Sequence, residues 1–104
     1  MSKRLETLQK LVDAGSNDPF AYYGLALEQK SLGMLHEALA TFASLRAKFP
    51  AYLPQYLMSG SLAASLDQKE AAREFLRAGL SVAKTQANSH AEREIAQMLD
   101  SLGD

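Results

Sequence analysis

The residues that could do chemistry are few. There are two histidines, His36 and His90, and no cysteine. Without cysteine there are no disulfides, no thiolate nucleophile and no thiolate metal ligand. No His-x3-His or His-Glu-x2-His pattern places imidazoles on one helix face for zinc. Glycine-rich phosphate loops of the Gly-x4-Gly-Lys or Gly-x-Gly-x2-Gly kind are absent as well. Glu92 and Glu94 could form a carboxylate pair, but acidic residues at a helix start are favoured by the macrodipole alone. Ser59-Gly60-Ser61 has the look of a nucleophile turn, yet no strand precedes it. His36 and His90 read as solvated surface groups. The expectation is a non-enzyme without a catalytic centre, metal or cofactor.

Charge narrows the remaining classes. Eleven Lys and Arg stand against twelve Asp and Glu, a net charge of −1. A nucleic-acid binder needs a surplus of basic groups, so nucleic acid is not an expected partner. The first twelve residues place Leu5, Leu8, Leu11 and Val12 at helical spacing, interrupted by Glu6, Gln9 and Lys10. That is an amphipathic helix rather than the continuous apolar run of a signal peptide. No stretch approaches the roughly 20 apolar residues of a membrane span. A cytoplasmic protein without membrane contact is expected.

The elements are helical. Two valines and one isoleucine leave little β-propensity, while alanine and leucine are abundant. Periodicity and punctuation predict about six helices. The first covers residues 2–14 and closes at Gly15. The second is opened by Asp18-Pro19 and closed by Gly33. The third runs from Leu35 to Lys48, stopping before Pro50. The fourth begins near Tyr52, with Pro54 in its first turn, and ends near Leu66. Asp67 with Glu70 predicts a capped fifth helix to Lys84. Ser89 with Glu92 predicts a capping box for a sixth, ending near Leu102.

Two stretches repeat. Tyr22-x2-Leu25-Ala26 recurs 34 residues later as Tyr56-x2-Ser59-Gly60. Leu35-His36-Glu37-Ala38, followed by Phe42 and Leu45, matches Gln68-Lys69-Glu70-Ala71, followed by Phe75 and Ala78, at an offset of 33. A one-residue shortening of the second turn is therefore expected. Each unit reads as a helical hairpin with a small residue at the crossing.

Together with Gly33 and Pro50, these residues resemble the tetratricopeptide repeat family, whose helix–turn–helix unit has a period of about 34. Tyr22 stands where the family often has Trp, Ala26 at its small position, and Gln29 where Tyr is usual. The resemblance implies an all-α fold of antiparallel hairpins stacked in a short right-handed α-solenoid. The single domain is expected to comprise a half-repeat helix at 2–14, repeats at 18–50 and 51–84, and a capping helix at 88–103.

It also implies an adaptor or scaffold that binds another protein, a peptide or amphipathic helix, on the first helix of each pair. With Tyr22, Leu25, Ala26 and Leu32 in the core, the rotated row is Phe20, Tyr23, Leu27 and Lys30. The fourth helix contributes Leu57 and Ser61. Some family members grip a terminal carboxylate with Lys, Arg and Asn. The matching positions here hold Tyr23, Leu27, Pro54 and Met58, so an apolar ligand is expected. The same face could instead pair two copies in a structural homodimer, or be covered within the chain. Tyr52 carries the same ambiguity.

Overall fold

A computed structural model describes residues 2–103. Among them are six α-helices and no strand: α1 (Lys3–Asp13), α2 (Pro19–Ser31), α3 (Leu35–Lys48), α4 (Pro54–Ser65), α5 (Lys69–Thr85) and α6 (Ser89–Leu102). The helices fall into two compact units, one ending at Tyr52 and one beginning at Leu53. In the first, α2 packs on α1 and α3. In the second, α5 packs on α4 and α6. No helix among the described residues is long and apolar enough to cross a membrane.

Four helices end in the same way. After each comes a residue with positive φ: Gly15 (75°), Gly33 (79°), Asp67 (60°) and Ala87 (54°). The N–H groups of that residue and its successor turn back to the last helical turn. Gly33 N–H donates to Lys30 O at 3.1 Å and Met34 N–H to Gln29 O at 2.8 Å. Asp67 and Gln68 repeat this on Ala64 and Ala63, and Ala87 and Asn88 on Lys84 and Ala83. These are Schellman closures, which satisfy carbonyls that the helix itself leaves open. Met34, Gln68 and Asn88 are each also the N-cap of the next helix, so each hairpin turn is as short as two helix ends permit.

This geometry corrects the expected capping. Asp67 closes α4 instead of opening α5, because its backbone is left-handed. Asn88, not Ser89, caps α6, its side chain accepting the Ala91 N–H at 3.0 Å. It also corrects the repeat register. Gly33 and Asp67 are 34 residues apart, and so are the N-caps Met34 and Gln68. No residue is lost in the second turn. Accordingly Ala72, Leu76 and Gly79 are the buried counterparts of Ala38, Phe42 and Leu45, whereas Ala71 and Ala78 are only half-buried. A one-residue slip rotates a helix by about 100°, so the Glu-Ala-x3-Phe match at offset 33 aligned letters rather than faces. Phe75 is buried nonetheless, since α5 packs on both α4 and α6.

Small residues set the helix spacing. A Cβ on Gly60 would lie 2.5 Å from Cγ and Cδ2 of Leu76, and one on Gly79 would lie 2.4 Å from the Tyr56 Cβ. In the first unit Ala26 and Ala38 are fully buried beside Leu25, Phe42 and Leu45. The expected core place of Leu32 is taken by Gln29. Leu32 is the C-cap residue and is 46% exposed. Gln29 is 5% exposed and accepts the Thr41 hydroxyl on Oε1 at 2.6 Å. Of the α1 leucines, Leu8 lies against Gly24 and Leu5 is buried, while Leu11 is exposed.

Polar contacts fasten the ends. The Ser2 hydroxyl accepts the Leu5 N–H at 2.9 Å and donates to Glu28 Oε2 at 2.9 Å, joining the α1 cap to α2. Lys48, at the end of α3, donates to the Gly15 and Ser16 carbonyls (3.1 and 2.9 Å) and to the Tyr22 hydroxyl (3.1 Å). In the second unit Arg73 donates to the Gly103 carbonyl at 3.1 Å and pairs with Glu70.

A glycine series tests the crossings. Glycine to alanine in a helix gains roughly 0.5–1 kcal/mol of propensity, and overpacking costs about 1–3 kcal/mol. Gly24→Ala meets the end of the Leu8 side chain at 3.3 Å and the Arg4 guanidinium at 4.0 Å, both able to give way, and should be neutral or stabilising. Gly60→Ala and Gly79→Ala should lower the denaturant midpoint, Gly79→Ala more, because it meets the root of a tyrosine. Ala87→Gly relieves a left-handed alanine and should stabilise by roughly 0.5–1 kcal/mol. Urea unfolding of the four variants measures all of this.

Candidate functional site

The residues singled out for catalysis are dispersed or already engaged. Ser59 is fully buried in α4, its hydroxyl donating to the Tyr56 carbonyl at 3.2 Å. His36 is exposed at the start of α3. His90 is exposed on α6 with Nε2 3.0 Å from Glu94 Oε1. Glu92 is half-buried in the first turn of α6. Among the described residues no three His, Asp or Glu side chains come together as a metal site.

The predicted binding row has a definite place in the first unit. The core side of α2 is taken by Ala21, Tyr22, Leu25, Ala26 and Gln29. Phe20, Tyr23, Leu27 and Lys30 are left on another side of the helix, spaced by three or four residues. Phe20 is 59% exposed, Tyr23 and Leu27 are half-buried, and Lys30 is exposed. Asp18 sets the beginning of this row. Its carboxylate accepts the Phe20 N–H at 3.0 Å, and Pro19 supplies the first helical residue.

Tyr23 is the anchor of an aromatic group that spacing alone did not show. Its ring meets that of Tyr52 edge to face, with centroids 5.4 Å apart and planes at 63°. On another side it meets the buried Phe42 at 6.3 Å and 61°. Such T-shaped contacts set the positive edge of one ring against the negative face of another. Tyr22, one residue away, points elsewhere, to Phe49 at 5.7 Å and to Lys48. Adjacent tyrosines thus divide the work. Tyr22 joins α2 to the end of α3, and Tyr23 carries the outer aromatic face. Tyr52 was ambiguous in the sequence because it lies in the turn after α3, 29 positions from Tyr23. No helical period links the two.

Electrostatics at this face run against further negative charge. Burial raises the pKa of the Tyr23 phenol above its ordinary value. That of Tyr52 is raised by burial first, then by Tyr23 and by the Asp18 carboxylate.

Leu57 and Ser61 belong to the second unit. Ser61 is exposed on α4. Leu57 is partly covered, packing against the cluster of Leu76, Ala83 and Ile95, which Met98 and Leu99 of α6 also join. Leu57 and Met98, with Glu94, Gln97 and Ser101, line an open depression of about 330 Å³. Sequence reasoning assigned Leu57 to the outer face of α4 but did not show that α6 shares it. The signal was the apolar side of α6 itself: Ala91, Ile95, Met98, Leu99 and Leu102.

No protein-family profile and no curated protein matches the sequence. Solved structures do. A tetratricopeptide repeat domain protein from Salinibacter ruber, determined in solution, is 28% identical, with a TM-score of 0.79 over 84% of this chain and 88% of that one. A crystal structure of a tetratricopeptide repeat domain protein from Salinibacter ruber gives 28% identity and a TM-score of 0.76 over 82% and 96%. A protein from Bordetella parapertussis, 18% identical, shares the fold with a TM-score of 0.77 over 98% and 89%.

The phenols give a test of this geometry. A raised folded-state value means that folding favours the neutral phenol. The resulting stability is complete below the ordinary tyrosine value of 10 and is lost as pH rises through the folded value. Alkaline titration of phenolate absorbance should show a late component that Tyr23→Phe and Tyr52→Phe each reduce. Thermal stability should fall above pH 10 in the wild type, and fall less in either variant. Two tyrosines titrating at the ordinary value would contradict the packed pair.

Proposed function

Because this chain is of the tetratricopeptide-repeat type, we propose that it is a protein-interaction adaptor whose ligand is a peptide or amphipathic helix of another protein. The fold supports interaction in general. The ligand's place is inferred from one observation: the outer row of α2 presents Phe20, Tyr23 and Leu27 in line, with Phe20 59% exposed on a helix whose opposite side is buried. Aromatic area of this kind contributes to association at low entropic cost, because each ring has only two side-chain torsions to immobilise. In the second unit, taken by itself, Leu57 and Ser61 form the corresponding proposed row on α4. Lys30 would bound the α2 row with a positive charge. The mechanism is binding on a preformed helical surface, without chemistry, and a cytoplasmic setting suits it.

The experiment is a comparison of baits. The native chain and a Tyr23→Ala/Leu27→Ser variant of equal helicity are presented to lysate, and captured proteins are identified and then titrated individually. A partner lost by about tenfold or more with the variant supports the α2 face, since hot-spot truncations cost upwards of about 1–2 kcal/mol. Equal capture by both baits moves the site off this face. A concentration-dependent dimer in light scattering that the variant abolishes would assign the face to self-association instead.

A further inference from the structure

In the first unit, α1 buries little of itself. Leu5 is its one buried residue, Leu8 is half-buried and Leu11 is 47% exposed. By contrast, α2 and α3 give the core Leu25, Ala26, Ala38, Phe42 and Leu45, none more than 1% exposed. An element with few buried apolar contacts opens at lower free energy than the core it rests on.

The seat of α1 on α2 is defined residue by residue. Leu8 lies over Gly24, where a Cβ would come 3.3 Å from Leu8 Cδ2 and 4.0 Å from the Arg4 guanidinium. One turn on, the Glu28 carboxylate accepts the Ser2 hydroxyl on Oε2 at 2.9 Å and faces Arg4 Nε with Oε1 at 3.6 Å. The groove therefore takes a helix with a hydroxyl at its N-cap, then a base, then a leucine one turn further. A second copy of this chain carries that helix unchanged. We propose that α1 is exchangeable: in a dimer, α1 of each copy occupies the groove of Gly24 and Glu28 on α2 of the other. Exchange of an identical element repeats every contact of the closed form, so it is a low-cost route to a dimer. Neither Gly24 nor Glu28 belongs to the row of Phe20, Tyr23 and Leu27, so the proposal stands whether or not that row binds a ligand.

Residues 14–18 are the hinge, and specific contacts hold it folded. Gly15 has a φ of 75°, and the Gly15 and Ser16 N–H groups donate to the Val12 and Leu11 carbonyls at 2.9 and 3.1 Å. The Lys48 ammonium then donates to the Gly15 and Ser16 carbonyls at 3.1 and 2.9 Å. These contacts favour the closed single copy, and an extended hinge releases them. Leu11 and Phe20 weigh the other way. They flank the hinge and are two of the three large hydrophobic side chains left exposed among the described residues. In the exchanged dimer the two hinges run side by side about the two-fold axis, where these side chains cover one another.

The test uses the full chain. Light scattering over a range of concentrations measures dimer association. Gly15→Ala strains the left-handed turn and leaves an extended hinge at ease, so association should rise about 5–25-fold, for one or both hinges relieved of the left-handed penalty. Lys48→Met keeps a long apolar side chain, removes the ammonium and should act in the same direction. In an equal mixture of carbon-13-labelled and unlabelled chains, isotope-filtered NOEs in the dimer should join the Leu8 methyls of one copy to Gly24 of the other. Adding Tyr23→Ala/Leu27→Ser to Gly15→Ala should leave this dimer intact. Hinge variants that both stay monomeric at every concentration would overturn the exchange. A dimer without Leu8–Gly24 contacts between copies would overturn it too, and one that Tyr23→Ala/Leu27→Ser dissolves would belong to the α2 row instead.

Discussion

In the second unit, α5 crosses α4 where Gly60 meets Leu76 and where Gly79 meets the root of Tyr56, both too close to admit a Cβ. In the first unit, Ala26 and Ala38 are the fully buried small residues beside Phe42 and Leu45. Two helices can approach this closely only if one facing position lacks bulk, and a large neighbour must then fill the space beside it. Each large residue therefore has a fixed place once the small ones are set. The buried tyrosines, leucines and Phe42 follow from that constraint, as does the side of α2 that remains outside.

Turn chemistry keeps the constraint in phase. Each Schellman closure consumes one left-handed residue, and after Gly33, Asp67 and Ala87 the next residue also caps the following helix. With no slack in the turn, the position of Gly33 relative to Asp67 dictates where every residue of α3 and α5 faces. The turn supplies the left-handed backbone with glycine in two cases, aspartate in one and alanine in another. The geometry is conserved between the hairpins even though the residue that adopts it is not.

The proposed site is what the core leaves over. Ala21, Tyr22, Leu25, Ala26 and Gln29 point inward, so Phe20, Tyr23, Leu27 and Lys30 cannot. On this side Tyr23 touches both Phe42 and Tyr52. Phe20 and Lys30 on this side are exposed, whereas Tyr23 and Leu27 are half-buried. At the end of α3, Lys48 sets its ammonium beside the rings of Tyr22 and Phe49.

The helices themselves were legible. Apolar spacing, Asp18-Pro19, Gly15, Gly33 and Pro54 are local signals, and local backbone preference acts through the chain alone. The outer row of α2 was legible too, because helical geometry assigns it once the core row is known. What followed from tertiary structure was different in kind. The letters of Glu37-Ala38 and Glu70-Ala71 invite an offset of 33, and only packing shows that Ala72, not Ala71, is the fully buried residue. Aspartate accepts N–H groups well, so Asp67 resembles a cap in the sequence, and only the closed turn shows its left-handed backbone. Tyr52 joined Tyr23 across 29 residues, a contact no helical period encodes. The sequence by itself determined which segments are helical and which side of α2 is apolar, since both depend on neighbours within a turn or two. The tertiary structure decided the register of the hairpins and the pairing of Tyr23 with Tyr52, since both depend on surfaces that meet only after the chain has folded.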